Sequence, residues 1–148
     1  MDVSFEVVSS ILDGRFTLSN GPMDTLQGGC HCGRVRFEVD ADLASETILA
    51  CNCSICTKRG YLHLIVAPER FRLTQGEDAL VEYRFHTHTA VHRFCETCGI
   101  HPFYSPRSHP DDVDVNVRCL DSVDIDAFDV ERFDGRNWEE HVDEIREE

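Results

Sequence analysis

The sequence predicts a mainly β domain of many short strands, pinned by metal, with a short helix near its C-terminal end. Three observations carry this. Several short runs alternate apolar and polar residues with a period of two, bounded by turn residues. Eight cysteines among 148 residues fall mostly in tight clusters. The tail alone changes to a helical period. With 41% apolar and 28% charged residues, the chain has the composition and length of one globular domain with one core. No apolar run approaches the roughly 18 residues that span a bilayer.

Taken in order, residues 1–22 hold a short apolar stretch and the turn dipeptides Asp13-Gly14 and Asn20-Gly21, which suit an N-terminal arm or hairpin. Residues 23–148 form the main domain. From Leu26 the pattern is β-like, and Gly28-Gly29-Cys30-His31-Cys32-Gly33 reads as a glycine-rich metal knuckle. Val35, Phe37 and Val39 alternate with Arg34, Arg36 and Glu38, the mark of a half-buried strand. Residues 47–50 run straight into a cysteine triplet, and residues 61–66 form another apolar strand. A turn at Pro68 leads into a strand at Phe71-Arg72-Leu73. Residues 79–85 alternate again and end in a histidine-rich stretch, His86, His88 and His92. On one strand, His86 and His88 would share a face as a weak metal patch or a plain polar surface. Phe94-Cys95-Glu96-Thr97-Cys98-Gly99 is the second knuckle, and Phe103-Tyr104 and residues 113–117 are further strands. In the tail, Asn137 can cap a helix with Glu140 three residues on. Trp138, Val142 and Ile145 then form one apolar stripe.

The cysteines carry the chemistry. Cys30 and Cys32 form C-x-C; Cys51, Cys53 and Cys56 form C-x-C-x-x-C; Cys95 and Cys98 form C-x-x-C; Cys119 stands alone. Neighbours one or two residues apart rarely reach disulfide geometry with each other, but they converge readily on one metal ion. The start of the chain shows no secretory signal, so the expected compartment is the reducing cytoplasm, which does not sustain structural disulfides. Zinc is the expected ligand. Joining the two pairs gives a closed four-thiolate structural site: Cys30, Cys32, Cys95 and Cys98. The triplet Cys51, Cys53 and Cys56 is left with three thiolates. Its fourth position is either vacant, as in a catalytic zinc site, or filled by Cys119 or a histidine such as His31, His63, His92 or His101.

The charge balance narrows the partners. Asp and Glu number 28 against 14 Lys and Arg, a net charge of −14. Such a surface repels phosphate backbones, so nucleic acid is not an expected partner, and no membrane association is expected either.

The set Gly29-Cys30-His31-Cys32-Gly33, Cys51-Asn52-Cys53-Ser54-Ile55-Cys56 and Phe94-Cys95-Glu96-Thr97-Cys98-Gly99 resembles the glutathione-dependent formaldehyde-activating (GFA) family. Phe103-Tyr104-Ser105-Pro106-Arg107 and Val115-Asn116-Val117-Arg118-Cys119-Leu120-Asp121 also resemble that family, and the details of the whole set resemble its centromere-protein-V-like branch most. The resemblance covers about residues 26–140. It implies a β-tent fold of several small antiparallel sheets pinned by two zinc ions. It also implies the metal partition reached by counting: Cys30, Cys32, Cys95 and Cys98 as structural ligands, Cys51, Cys53 and Cys56 as ligands of the reactive zinc. The implied activity is that of a carbon–sulfur lyase, joining glutathione and formaldehyde into S-hydroxymethylglutathione. Softness alone permits iron as well as zinc; the family likeness and the tetrahedral thiolate set favour zinc.

For such chemistry the open position binds a thiol or polarises an aldehyde oxygen. His63 is either a proton shuttle or a strand histidine satisfied by its surroundings. Lys58 and Arg59, a basic pair in an acidic chain, either clamp the carboxylates of glutathione or sit in a solvated loop. Arg107 and Arg118 are weaker candidates. Cys119 is a buried small residue or lines the triplet. A second class of function stays open: a non-catalytic, zinc-stabilised β module that binds a macromolecule, which a filled fourth position would favour.

Overall fold

The computed structural model describes residues 23–146. The arm or hairpin expected over residues 1–22 lies outside them. In chain order the described strands are β1 (Asp24–Gly29), β2 (Arg36–Ala41), β3 (Ile48–Cys51), β4 (Leu62–Val66) and β5 (Phe71–Gln75). There follow β6 (Leu80–Tyr83), β7 (Val91–Cys95), β8 (Phe103–Ser105), β9 (Val113–Asn116) and β10 (Val130–Phe133). Among the described residues two α-helices accompany them, α1 (Ser54–Arg59) and α2 (Trp138–Arg146).

The strands make two sheets. A small one has the order β1-β2-β5; the large one has the order β10-β3-β4-β9-β8-β7-β6. All pairings are antiparallel except that of β10 with β3.

The period of two in the sequence sets how the sheets meet. On β2 and just before it, Val35, Phe37 and Val39 are buried, while Arg36, Glu38 and Asp40 face outward into ion pairs with Asp121 and Arg72. On the large sheet, Ile48, Leu62, Leu64, Val66, Phe103 and Val115 are buried in the same core. Three aromatic rings bridge the sheets: Phe37 lies 5.4 Å from Phe71 and 6.2 Å from Phe103, and Phe71 lies 4.6 Å from Phe103.

The opposite face of the large sheet is different. Cross-strand register places Cys51 beside Phe133, Leu49 beside His63, and Ile65 beside Asp114. It continues with Asp114 beside Tyr104 and Tyr104 beside His92. Side chains directly opposite in register share a face, so cysteine, histidine, aspartate and tyrosine form one row across the sheet. A slip of one residue in any of these pairings would trade this row for the apolar one.

Several expectations need correction. β6 ends at Tyr83, not Phe85. His86 and His88 sit in an exposed turn with φ of 54° and 59°, left-handed values that L residues seldom adopt outside turns. They do not share a strand face, and His92 is buried apart from them on β7. Val117 leaves β9 for a 3₁₀ turn, Val117–Cys119. Asn137 is not the start of the C-terminal helical segment, which begins as a 3₁₀ turn at Gly135–Asn137; its amide donates to Asp134 Oδ2 at 2.8 Å. β10 was not expected at all. Its four residues, Val-Glu-Arg-Phe, are too few and too charged to stand out, and pairing with β3 supplies what propensity does not.

Phe37 touches both sheets, so truncating it tests the sandwich. Phe37→Ala should lower the unfolding free energy by about 3–5 kcal/mol. Denaturant unfolding is expected to show a lower midpoint with an unchanged slope.

Candidate active site

Two groups of sulfur atoms stand out among the described residues. Cys30, Cys32, Cys95 and Cys98 form one and Cys51, Cys53 and Cys56 the other; within each, all sulfurs lie within 4.8 Å of one another.

The four-sulfur group joins the two sheets. Cys30 and Cys32 follow β1, in the connection to β2; Cys95 ends β7, and Cys98 lies in the turn after it. Cys32 Sγ is 3.6 Å from Cys30 Sγ and 3.7 Å from Cys95 Sγ. A tetrahedron of sulfurs about 2.3 Å from a zinc ion has edges of roughly 3.8 Å, so the spacing fits. The Val35 N–H donates to Cys30 Sγ at 3.3 Å. Arg34 ties the knuckles further, donating to Glu96 Oε1 at 2.9 Å and Thr97 Oγ1 at 2.7 Å.

The three-sulfur group is built where β3 runs into α1. Cys53 is the N-cap of α1 in extended conformation, and its sulfur accepts the Cys56 N–H at 3.5 Å. Cys51 Sγ accepts the Cys53 N–H at 3.4 Å. Gly60 closes the helix at φ 62°, donating to Cys56 O at 3.0 Å; its left-handed backbone is the one glycine tolerates best. Asn52, between two cysteines, fastens the incoming C-terminal segment. It donates through Nδ2 to Asp134 Oδ1 at 2.9 Å and through its backbone to Phe133 O at 3.2 Å. It accepts the Arg136 N–H at 3.0 Å and Arg136 Nε at 3.1 Å.

Three thiols this close cannot all ionise unaided. Hydrogen bonds from Cys51 and then Cys56 hold the Cys53 thiol far down, to about 2. Cys51 is pushed up to about 11 by Cys53, and Cys56 is raised further by Cys51 and Cys53. A bound cation offsets this repulsion and lets all three become thiolates. Thiolate donors at tetrahedral spacing therefore fit zinc at both groups. No fourth histidine, cysteine or carboxylate atom joins the triplet among the described residues.

The triplet lines a cavity of about 390 Å³, within the range of small-molecule sites. Its sheet-side wall is the polar row already described, with His63, Asp114, Tyr104 and His92. Trp138 and Ile145 of α2 line it from the other side, with Arg107 and Arg136. Arg107 Cζ lies 3.4 Å from the centre of the Trp138 ring, and Arg107 donates to Glu139 Oε1 at 2.5 Å. Two residues of the apolar stripe in the tail, Trp138 and Ile145, thus wall a cavity.

The remaining candidates are placed as follows. His63 and Asp114 are both buried, with Nδ1 and Oδ2 2.7 Å apart. Arg59 turns inward. Its guanidinium stacks over Tyr61 at 4.9 Å and Tyr104 at 5.4 Å, meets His101 Nδ1 at 3.1 Å, and points Nη2 at Cys56 Sγ at 4.0 Å. Burial first, and then the Arg59 charge, hold the His92 and His101 imidazoles down to about 4, so both are neutral at pH 7. Lys58 is exposed, and neither it nor Arg59 is in the cavity lining. Cys119 joins neither sulfur group; its thiol donates to His101 O at 3.6 Å, and burial pushes it up to about 12. His31 and Arg118 are exposed. Nothing in the sequence marks Asp114, Asn52, Trp138 and Gly135 as site residues; the pairing of β9 with β4 brings in Asp114, and that of β10 with β3 brings the segment of Gly135 and Trp138 against Asn52.

A two-sheet β fold with four cysteines gathered between its sheets and a second cysteine cluster in a cavity defines a protein with two groups of thiols that could each hold a metal ion. The chain belongs to the glutathione-dependent formaldehyde-activating enzyme family, whose model matches residues 25–134. It is also similar to a Rhodobacter sphaeroides protein of known crystal structure, at 36% identity and a TM-score of 0.66, over 72% of this chain and 99% of that one.

Gly135 offers a direct test of the triplet. A Cβ there would overlap Cys51 Sγ and come within 3.0 Å of Cys53 Cβ. Gly135→Ala is expected to lose the metal of the triplet while keeping that of the four-sulfur group. Elemental analysis of the purified variant should show one ion fewer per chain than the parent.

Proposed function

We propose that the chain is a zinc-dependent enzyme that makes or breaks a carbon–sulfur bond by joining a low-molecular-weight thiol to an aldehyde. Glutathione and formaldehyde, giving S-hydroxymethylglutathione, are the pair that the family's name points to. The observation that carries this reading is the triplet itself: three sulfurs, without a fourth ligand among the described residues, lining a cavity of small-molecule size. In this reading Cys51, Cys53 and Cys56 hold the reactive zinc, and Cys30, Cys32, Cys95 and Cys98 hold the structural one. The details of the motif set as a whole support a finer placement in the centromere-protein-V-like branch. The abundance of clustered thiols supports a reducing, cytoplasmic setting.

When bound at the triplet, the zinc supplies a Lewis acid at which a thiol loses its proton near neutral pH. The rest falls to the chain. The thiol sulfur bonds to the carbonyl carbon, the C=O π pair moves to oxygen, and the proton lost by sulfur ends on that oxygen. Trp138, Phe133 and Ile145 exclude water from the reacting atoms. Arg136, held through its Nε by Asn52 O, and Arg107 offer charge to the carboxylates of a substrate such as glutathione. Arg59 faces Cys56 rather than the cavity, so we assign it to balancing the negative charge of the thiolates instead of gripping substrate.

Cobalt substitution tests this reading, because the visible spectrum of cobalt reports its ligands. Titrating the cobalt protein with glutathione is expected to change the absorption of one of two sites, saturably. Two closed tetrahedral spectra that ignore the thiol would overturn the proposal. The chain would then be read as a zinc-stabilised module for a macromolecular partner.

A further inference from the structure

We propose that His63 carries the proton between sulfur and oxygen in this reaction, and that Asp114 is the positioning residue that fixes its ring. The inference rests on the thiol–aldehyde reading above and adds the acid–base group that reading lacks.

The geometry begins in the sheet. His63 on β4 faces Asn116 on β9, and Asp114 is two residues along the same strand, the diagonal reach of a long side chain. His63 Nδ1 and Asp114 Oδ2 meet at 2.7 Å, with both side chains almost wholly buried. A carboxylate only accepts, so Nδ1 carries the proton of this bond and Nε2 is left with its lone pair. His63 Nε2 is buried and has no partner among the described residues; the same holds for Asp114 Oδ1. Buried polar atoms are nearly always paired. A pair serving structure alone has no reason to leave both outer atoms unmet, whereas a ring awaiting a substrate does. Both residues line the cavity that holds the triplet.

The surroundings hold the ring still. Tyr61 packs against it at 4.6 Å and Tyr104 edge-on at 6.0 Å. The Tyr61 hydroxyl donates to the backbone oxygen of Asp114 at 2.7 Å, anchoring that strand to β4. Burial raises both phenols well above their ordinary range, so they remain protonated. His92 Nδ1 on the same wall is unpaired too, but of the two imidazoles only His63 has a carboxylate behind it among the described residues. His63 is thus the one suited to accept and return a proton, while Asp114 stabilises the imidazolium that forms in between.

The step balances. The thiol proton passes to His63 Nε2; the sulfur–carbon bond forms as the carbonyl π pair moves to oxygen; that oxygen takes the proton back from Nε2. The ring ends as it began, and no oxidant or reductant is consumed. In the reverse direction the same ring takes the hydroxyl proton as the carbon–sulfur bond breaks.

The test uses the metal-loaded full chain. His63→Gln is expected to lower kcat by about 10²- to 10⁴-fold. Glutathione affinity, read from the cobalt spectrum, should change by less than about threefold, since the loss falls on the proton step and not on binding. Added imidazole should restore part of the turnover of His63→Ala, which a merely structural role would not permit. Nitrogen NMR of the unsubstituted protein should show a His63 ring protonated at Nδ1, and Asp114→Asn should shift that signal and lower kcat at least about tenfold. Parental turnover in His63→Gln would overturn the inference. So would a ring protonated only at Nε2, or a cobalt spectrum altered by His63→Gln before any thiol is added, which would make His63 a metal ligand. If the unsubstituted cobalt protein takes up no thiol, the thiol–aldehyde reading itself has failed, before any His63 variant is made.

Discussion

The contact between the two knuckles governs everything else in this fold. Cys30 and Cys32 follow a strand of the small sheet, Cys95 ends a strand of the large one and Cys98 lies just after it. Cys32 and Cys95 bring their sulfurs to 3.7 Å across the junction. Thiols at that distance attract only weakly when neutral and repel when ionised. A divalent cation held between them would turn the approach into a bond between sheets, and its binding energy would become folding energy. The aromatic bridge of Phe37, Phe71 and Phe103 then packs beneath a junction already fixed, and the strands that carry the triplet inherit a rigid base.

On that base the pleat does the positioning. One face of the large sheet is spent on the core, and the other is free to carry chemistry. The triplet, His63, Asp114, Tyr104 and His92 lie on or beside five adjacent strands, so their separations follow from strand spacing rather than loop conformation. Sites set on regular elements hold their geometry more closely than sites set on loops. The buried, unpaired atoms at His63 and Asp114 are held by the same stiffness, which keeps these side chains at the cavity wall where a looser frame would let them collapse onto other partners.

Much of this was legible in the sequence, and the limits have physical causes. The cysteine spacing shows which sulfurs can converge, because a ligand set is local chemistry repeated in short motifs. Alternation in residues 35–39 and 61–66 marks strands, because burial on one face leaves a period of two. What the residues do not display is which strand lies beside which. Asp114 is unremarkable among 28 acidic residues until β9 pairs with β4. β10 is a short, charged edge that depends on β3 for its existence. Gly135 and Asn52 matter only because that pairing presses one segment against the other. His86 and His88 misled because their turn needs positive φ at two ordinary residues, which no local pattern announces. The stripe on α2 was seen, but a stripe cannot say whether it faces a core or a hollow.

That hollow is assembled from two kinds of material. The sulfurs, His63, Asp114 and Tyr104 all fall inside residues 25–134, the stretch matched by the family model. Arg136, Trp138 and Ile145, which close the cavity from above, fall beyond it. The sulfurs lie inside the matched stretch, while part of the wall facing them is supplied by residues past its end. Selectivity in such a molecule can drift through a handful of positions on one helix without touching the thiolates beneath.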